Sequence, residues 1–378
     1  MVELTKDLNI SKTSASLALT ASAVSYGFGQ IVSGYMGDKF KADKIIIFGL
    51  ICTSVMNLLI PIAPNPSYMT VIWFINGFAQ AMMWPPIVKI MTTMLNGDEY
   101  KKGCIKVFWG SSFATIFIYI AAPFFIYISS WRAVFIFSAA CAAVMCVLWI
   151  FGYKTVKSNL GENNEVKRDT EASATKKFTP RVFLLLAVLL TAVAIQGSLR
   201  DGVTNWMPSY ISETFNFGSE ISILSNVVLP IMSLLMYSAA LTINKRFVKN
   251  ECLCMALIFA FGTICAFAFA AFGNRNAALA TFIAAVFAGA MHGVNYCQTC
   301  LSPVYFARYG KVSLISGVIN SGTYIGSSVS TYGIAYLTKL LTWNQIAYIW
   351  CILAAAGGCI CLAMSGAWAK FTSEKSNE

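Results

Sequence analysis

Long apolar segments, separated by short polar ones, follow one another through this sequence of 378 residues. Many reach or exceed the roughly 18–20 residues that an α-helix needs to cross a bilayer, and β-barrel alternation is absent. The pattern therefore predicts an all-α polytopic membrane protein. Eleven spans are predicted, at residues 14–36, 43–63, 68–95, 103–128, 132–153, 180–211, 219–243, 252–272, 277–305, 311–338 and 344–369.

A polar stretch at residues 154–179 interrupts the apolar pattern. It is rich in Lys, Ser, Asn, Glu and Thr, which is the composition of a mobile cytoplasmic linker. We therefore predict two helical bundles on either side of this linker. Five spans form the bundle at residues 1–153, and six spans form the bundle at residues 180–378.

The two predicted bundles carry a weak internal repeat. Gly103 to Trp131 and Gly310 to Trp343 each begin with a glycine, repeat it seven residues later, continue as an apolar helix and end at a tryptophan. This register pairs span four with span ten and leaves span six without a counterpart. Because carriers built from repeats have matching halves, we expect that one helix before residue 14 is missing, through a truncated start or a genuine loss.

Composition and charge agree with a membrane protein and give its orientation. The sequence is 57% hydrophobic and 11% charged, with a formal net charge of +11. Nineteen Lys and Arg residues fall in the tails and loops of one side and five in those of the other. By the positive-inside rule the rich side, with the carboxyl terminus, is cytoplasmic. We expect a monomer in the cell (plasma or inner) membrane and no nucleic-acid partner.

Several classes of function are disfavoured. No phosphate-binding loop of the Gly-x-x-x-x-Gly-Lys-Ser/Thr kind occurs, which argues against an ATP-driven pump. Twelve cysteines lie almost entirely in apolar segments, and the pair Cys297 and Cys300 has no second pair to complete a metal site. We expect no metal, no cofactor and no enzymatic activity.

Arg200 is the main candidate for binding chemistry, because it follows eighteen uncharged residues, Val182 to Leu199. Inside a bilayer such an arginine costs roughly 2.5–3.5 kcal/mol on insertion scales and marks a functional site by default. We interpret it as facing a water-filled cavity and holding an anion. Two alternatives stay open: pairing with Asp201, or reaching the outer headgroups. Since neighbouring side chains on a helix point in different directions, the pairing alternative is weakened.

Short motifs then suggest a family. The turn after the first span, Gly34 to Lys44 with Asp38 and Lys39, resembles the signature of the major facilitator superfamily, whose glycines permit close helix packing. In this turn Asp38 can accept hydrogen bonds from a helix end in one conformation and release them in another. Three further stretches resemble the organophosphate:phosphate antiporters: Ser25–Gln30, Asn76–Pro86 and Leu199–Gly202 followed by Trp206, Pro208 and Tyr210.

The resemblance implies a two-bundle carrier that exchanges inorganic phosphate for a phosphate ester. It places Arg200 at a phosphate-binding arginine, and Tyr26, His292 and Tyr324 at pocket tyrosines of the family. Gln30 stands where several members have a lysine, and Phe113 where they have a histidine. These two departures leave open a carrier of carboxylates or sugar acids. A non-transporting membrane sensor of sugar phosphates is a third alternative.

The charges predicted inside the membrane favour exchange over proton coupling. Asp201 is the only acidic residue there, and His292 is the only histidine in the chain. Proton-driven carriers generally need a titratable chain across the membrane. A site with Arg200 alone would be positive, and an empty carrier would have to move a bare guanidinium through its closed state. We therefore predict obligatory exchange of a small anionic substrate.

Overall fold

The computed structural model describes residues 12–160, 178–217 and 227–373, and within them it contains helices and no strands. The helices are α1 (Lys12–Lys39), α2 (Ala42–Leu59), α3 (Pro66–Ala81), α4 (Trp84–Met94), α5 (Gly97–Ile128), α6 (Trp131–Leu160), α7 (Pro180–Phe215), α8 (Val228–Arg246), α9 (Glu251–Phe272), α10 (Ala277–Tyr296), α11 (Val312–Leu337) and α12 (Trp343–Ser373). The all-α prediction is confirmed.

Nine helical segments of the described ranges are long and apolar enough to cross a membrane. The two other long helices, α1 and α11, are richer in Ser, Thr and Gly, which lowers their hydropathy. The predicted count of eleven spans is therefore not confirmed, although a helix lies at every predicted position. The first residues of the predicted span 219–243 and most of the predicted linker 154–179 lie outside the described residues.

The third predicted span is broken in the middle. Helix α3 ends at Ala81 and α4 begins at Trp84, directly before Pro85 and Pro86. Proline lacks the N–H that would continue the helix, so the break follows from the sequence. At the other end of α3, Asn65 caps the helix by accepting hydrogen bonds from the N–H groups of Ser67 and Tyr68.

The chain divides into two compact units. Unit 1 contains the described parts of Met1–Tyr100, Phe117–Lys176 and Phe306–Ser321, and unit 2 contains those of Lys101–Ile116, Lys177–Tyr305 and Gly322–Glu378. In unit 1, α1 packs on α3 and α4, and α2 packs on α6. In unit 2, α9 packs on α12, and α10 packs on α7, α8 and α9. The division into bundles at 1–153 and 180–378 stays a prediction.

Helix α10 continues into an unusual segment. Cys297–Leu301 forms a π-helical turn, and Pro303–Tyr309 follows as a 3₁₀ helix. Cys297 and Cys300 are fully buried in that turn, with the Sγ atom of Cys297 4.0 Å from that of Cys254. Buried thiols of this kind pack as small apolar groups.

Candidate functional site

Arg200 lies on α7 and binds the carboxylate of Asp201, its neighbour in sequence. Its Nε donates to Oδ1 at 2.6 Å and its Nη2 donates to Oδ2 at 2.9 Å. This two-pronged contact matches the planar guanidinium to the planar carboxylate. The two side chains keep 13% and 20% of their exposure.

The expectation that helical geometry disfavours pairing of Arg200 with Asp201 was wrong. Their Cα–Cβ bonds diverge by one helical step, but the arginine side chain is long enough to fold back over the aspartate. Pairing has a strong physical reason, because a guanidinium and a carboxylate within an apolar span each need a partner. The alternative in which Arg200 pairs with Asp201 is therefore the arrangement observed. The two formal charges cancel, so the site is not positive in this state.

His292 on α10 belongs to the same unit and shares a hydrogen bond with Tyr237 of α8. The Nδ1 atom of His292 and the hydroxyl oxygen of Tyr237 are 2.8 Å apart. Tyr237 is buried, and its ring stacks on Phe108 at a centroid distance of 4.6 Å. Tyr237 and Tyr324 both lie near Arg200. The phenol groups of Tyr237 and Tyr324 and the imidazole of His292 thus lie near the ion pair.

A buried amide pair lies one helical turn before Arg200. Gln196 donates from Nε2 to the carbonyl oxygen of Met291 at 3.0 Å and accepts from Asn295 Nδ2 at 3.4 Å. These bonds tie α7 to α10 beside Arg200 and His292. Sequence reasoning missed Gln196, Asn295 and Tyr237. Helical spacing was the available signal, since Gln196 is four residues before Arg200 and Asn295 is three after His292.

Helix α11 brings Tyr324 to this site by packing closely on α7. A Cβ atom on Gly326 would collide with the carbonyl oxygen of Ala194, so the backbones can approach only because residue 326 is glycine. Ser198 strengthens the contact by donating to the carbonyl oxygen of Gly326 at 2.7 Å. Unit 2 therefore holds Arg200, His292 and Tyr324 together.

Tyr26 and Gln30 both lie on α1 and belong to unit 1. Tyr26 is half-buried, whereas Gln30 is fully buried. The amide nitrogen and oxygen of Gln30 have no hydrogen-bond partner within the described ranges. The backbone of Gln30 lies against Gly317, where a Cβ atom would meet its carbonyl oxygen. The role of Tyr26 and Gln30 in substrate binding stays a prediction.

The turn after α1 forms a defined contact with α11 inside unit 1. Asp38 accepts hydrogen bonds from the N–H groups of Ser313 at 3.0 Å and Leu314 at 2.9 Å, the first turn of α11. Its carboxylate thereby satisfies free donors at the positive end of that helix. Burial nevertheless raises the pKa of Asp38 above its ordinary value, against the lowering effect of these bonds and of Lys89 and Lys311.

Other residues of this turn have separate roles. Gly34 lets α1 approach α11, since a Cβ atom there would meet the backbone of Ser313 and Leu314. Lys39 places its Nζ 4.5 Å from the ring centroid of Tyr35. Lys89 of α4 donates to the carbonyl oxygen of Gly37 at 2.9 Å. That Gly34, Asp38 and Lys39 form a conformational switch stays a prediction.

Sequence comparison gives the wider family context. The profile described as Major Facilitator Superfamily matches residues 1–331. The chain is 24% identical over 241 residues to the "Glycerol-3-phosphate transporter" of Bacillus subtilis (strain 168), covering 57% of this chain and 53% of that protein. It is 27% identical over 112 residues to a "Probable hexose phosphate transport protein" of Chlamydia trachomatis serovar D, covering 30% and 24%. The chain thus spans about half or less of these relatives.

Structural comparison gives the fold. A solved structure titled as the proton:xylose symporter XylE, bound to 6-bromo-6-deoxy-D-glucose, superimposes with a TM-score of 0.69. The match covers 97% of this chain and 88% of that one at 12% sequence identity. At this identity the likeness establishes the fold alone.

Proposed function

This chain belongs to the Major Facilitator Superfamily, as the motifs predicted, and we propose that it is a membrane carrier of phosphate esters that exchanges them for inorganic phosphate. The named relatives support the substrate class, because one is called a glycerol-3-phosphate transporter and another a hexose phosphate transport protein. The observation that carries the proposal within this chain is Arg200, a guanidinium placed in a cluster of polar side chains within a spanning helix.

Arg200 is suited to a phosphate group for geometric reasons. Its Nε and Nη2 already hold two oxygens of Asp201 in a bidentate contact. Two phosphate oxygens can take the same places, because arginine recognises carboxylate and phosphate through the same fork. Tyr237 and Tyr324 lie near the guanidinium. A hydroxyl group there can donate to a further phosphate oxygen.

Asp201 has a defined part in this proposal. In the empty carrier it neutralises Arg200, and an arriving anion takes its place. The prediction of obligatory exchange assumed that Arg200 is unpaired in the empty carrier. Because Asp201 is its counter-ion, the empty carrier does not have to move an unpaired guanidinium. When phosphate displaces Asp201 from Arg200, the carboxylate needs a new partner. The free-energy barrier to the conformational change therefore differs between the phosphate-bound carrier and the empty carrier with its internal ion pair. We propose that exchange is faster than net uptake, with Asp201 permitting the slower net movement.

Transport measurements with purified protein in proteoliposomes test this function. Uptake of labelled glycerol-3-phosphate is followed into vesicles loaded with phosphate and into vesicles loaded with a neutral sugar. We expect faster uptake into the phosphate-loaded vesicles and competition by external phosphate. Equal rates in the two preparations would exclude exchange. Saturable binding without any flux would point to a sensor instead.

A carboxylate carrier is the second candidate, and it rests on Gln30. The buried amide of Gln30 stands where a lysine would add positive charge, and it has no hydrogen-bond partner among the described residues. Competition separates the two substrate classes. Strong inhibition by sugar acids, with none by phosphate, would replace phosphate esters with carboxylates as the substrate.

A further inference from the structure

The ends of several helices enclose a cavity of about 590 Å³ within unit 1. Its walls come from the end of α1, the start of α2, the middle of α4 and the last part of α6. Six lysines and two aspartates line it, which leaves a formal excess of four positive charges. The lysines are Lys39, Lys41, Lys44, Lys89, Lys154 and Lys157. None of these residues belongs to the proposed transport site around Arg200.

The two aspartates of the lining, Asp38 and Asp43, offset part of this charge. The Asp38 carboxylate is directed at the N–H groups of Ser313 and Leu314 on α11. Lys44 and Lys154, from helices far apart in sequence, are both exposed beside the same cavity. Lysines gathered in one concave site create a positive potential that attracts an anion.

Two aromatic side chains form part of the cavity wall. Trp149 and Tyr153 of α6 stack with ring centroids 5.8 Å apart and an interplanar angle of 13°. The indole Nε1 of Trp149 is buried and has no hydrogen-bond partner in the described part of the chain. An indole N–H can only donate.

One side of the cavity is apolar and continues along the spans. Ile47 of α2 and Ile150 of α6 belong to the lining. Phe48, Ile51 and Phe151 follow on the same helices and are exposed. Because α2 and α6 are apolar spans, these side chains face lipid rather than water. The site therefore has a cationic part at the membrane surface and an apolar part along the membrane interior.

We propose that this cavity binds the phosphate headgroup of an anionic phospholipid, whose acyl chains lie along α2 and α6. Basic pockets at the ends of membrane helices are suited to such headgroups. Inorganic phosphate and pyrophosphate share the headgroup's charge and oxygens. They have nothing to place against Ile47, Ile150 and the apolar surface beyond them, so the lipid is the better match.

The test measures the thermal stability of the full chain in detergent. Dioctanoyl phosphatidylglycerol, dioctanoyl phosphatidylcholine, inorganic phosphate and pyrophosphate are titrated separately, and the melting temperature is recorded. A ligand that binds only the folded protein raises it. We expect phosphatidylglycerol to give a saturable rise that high salt weakens. Phosphatidylcholine, which has the same chains and no net charge, should give a smaller rise.

Variants place the effect at the cavity. In the double variant Lys44→Ala, Lys154→Ala the phosphatidylglycerol concentration at half-maximal rise should increase roughly tenfold or more. The matched control is Lys249→Ala, Lys370→Ala, which removes two exposed lysines outside the cavity and should behave as wild type. Both variants must melt like wild type without lipid, and both lysine pairs are exposed, so folding should be preserved.

Three results would overturn the proposal. Equal rises with phosphatidylglycerol and phosphatidylcholine would remove the need for negative charge. An unchanged titration in the Lys44→Ala, Lys154→Ala variant would place the lipid elsewhere. A rise with pyrophosphate alone that depends on these two lysines would assign the cavity to a free phosphate compound. Because no transport is measured, the result is independent of the proposed carrier function.

Discussion

Arg200 and Asp201 define what this chain can do at the scale of single residues. Each would be costly alone inside an apolar span, and together they form a compact neutral pair. Such a pair binds an external anion only by opening. The chemistry therefore depends on how well an incoming phosphate replaces the carboxylate, and substitutions of the two residues should have different consequences.

We expect Arg200→Lys to abolish most transport. An ammonium group is a point charge and cannot hold two phosphate oxygens in the fork of a guanidinium. Losing one charge-assisted hydrogen bond costs about 1.5–3 kcal/mol, so roughly 10- to 150-fold in affinity. The measurement is the concentration dependence of glycerol-3-phosphate uptake in proteoliposomes. Arg246→Lys, at the exposed end of α8, is the control and should leave uptake unchanged. Wild-type kinetics for Arg200→Lys would exclude Arg200 from the site.

Asp201→Asn should affect net uptake and exchange differently. The amide keeps the shape of the carboxylate but cannot neutralise Arg200, so the empty carrier would have to move an unpaired guanidinium. We expect net uptake into vesicles without phosphate to fall roughly tenfold or more, because an uncompensated buried charge is costly. Exchange should remain close to the wild-type rate, since phosphate then supplies the counter-charge. The ratio of the two rates is the measurement, and an unchanged ratio would contradict the role of Asp201.

At the scale of helices, the contact between the end of α1 and the start of α11 is the clearest functional element. Asp38 joins the two by accepting from the N–H groups of Ser313 and Leu314. Gly34 permits the close approach that brings them together. The contact depends on a carboxylate whose pKa burial raises, which makes it sensitive to pH.

The pH dependence has a definite sign. Because the pKa of Asp38 is higher in the folded protein than in the unfolded chain, the folded state holds this proton more tightly. The resulting stabilisation is complete below the ordinary pKa of 3.8 and is lost as the pH rises through the raised value. The melting temperature of wild type minus that of Asp38→Asn should therefore increase from pH 7.5 to pH 5. A difference that shrinks on acidification would mean that the helix-end hydrogen bonds outweigh burial.

Helix positions were largely predictable from the sequence, whereas contacts between helices were not. Hydrophobic length located each long helix, and Pro85 and Pro86 explain why α3 ends before α4 begins. The pairing of Arg200 with Asp201 could not be predicted from helical spacing, because it depends on the reach of a flexible side chain. The hydrogen bond between Tyr237 and His292 joins positions 55 residues apart. Such a contact requires the packing of α8 on α10.

The lysine-lined cavity illustrates the same limit. In the sequence most of its lysines are loop charges that orient the chain, and Lys39 also belongs to the turn after the first span. Lys44 and Lys154 meet at one cavity because α2 packs on α6 around a core of Ile46, Leu50 and Cys146. The distribution of charge along the sequence predicts on which side of the membrane these lysines lie. Only the packing of α2 on α6 shows that they line one cavity.

At the scale of the whole molecule, the orientation in the membrane connects these features. Nineteen Lys and Arg residues on one predicted side against five on the other form a strong asymmetry. The lysines of the cavity that lie in loops belong to the rich side. If that side is cytoplasmic, the proposed lipid site draws on the cytoplasmic leaflet, where anionic headgroups are concentrated.

Epitope accessibility tests this orientation. One tag is inserted after Pro64, in the short loop between α2 and α3, and another follows Glu378. In intact spheroplasts of a bacterial host, we expect antibody to reach the tag at Pro64 and to miss the carboxyl-terminal tag, because the basic side is retained in the cytoplasm. Both tags must react after permeabilisation. The reverse pattern would invert the topology, and it would move the lysine-lined cavity, with its lipid, to the outer leaflet.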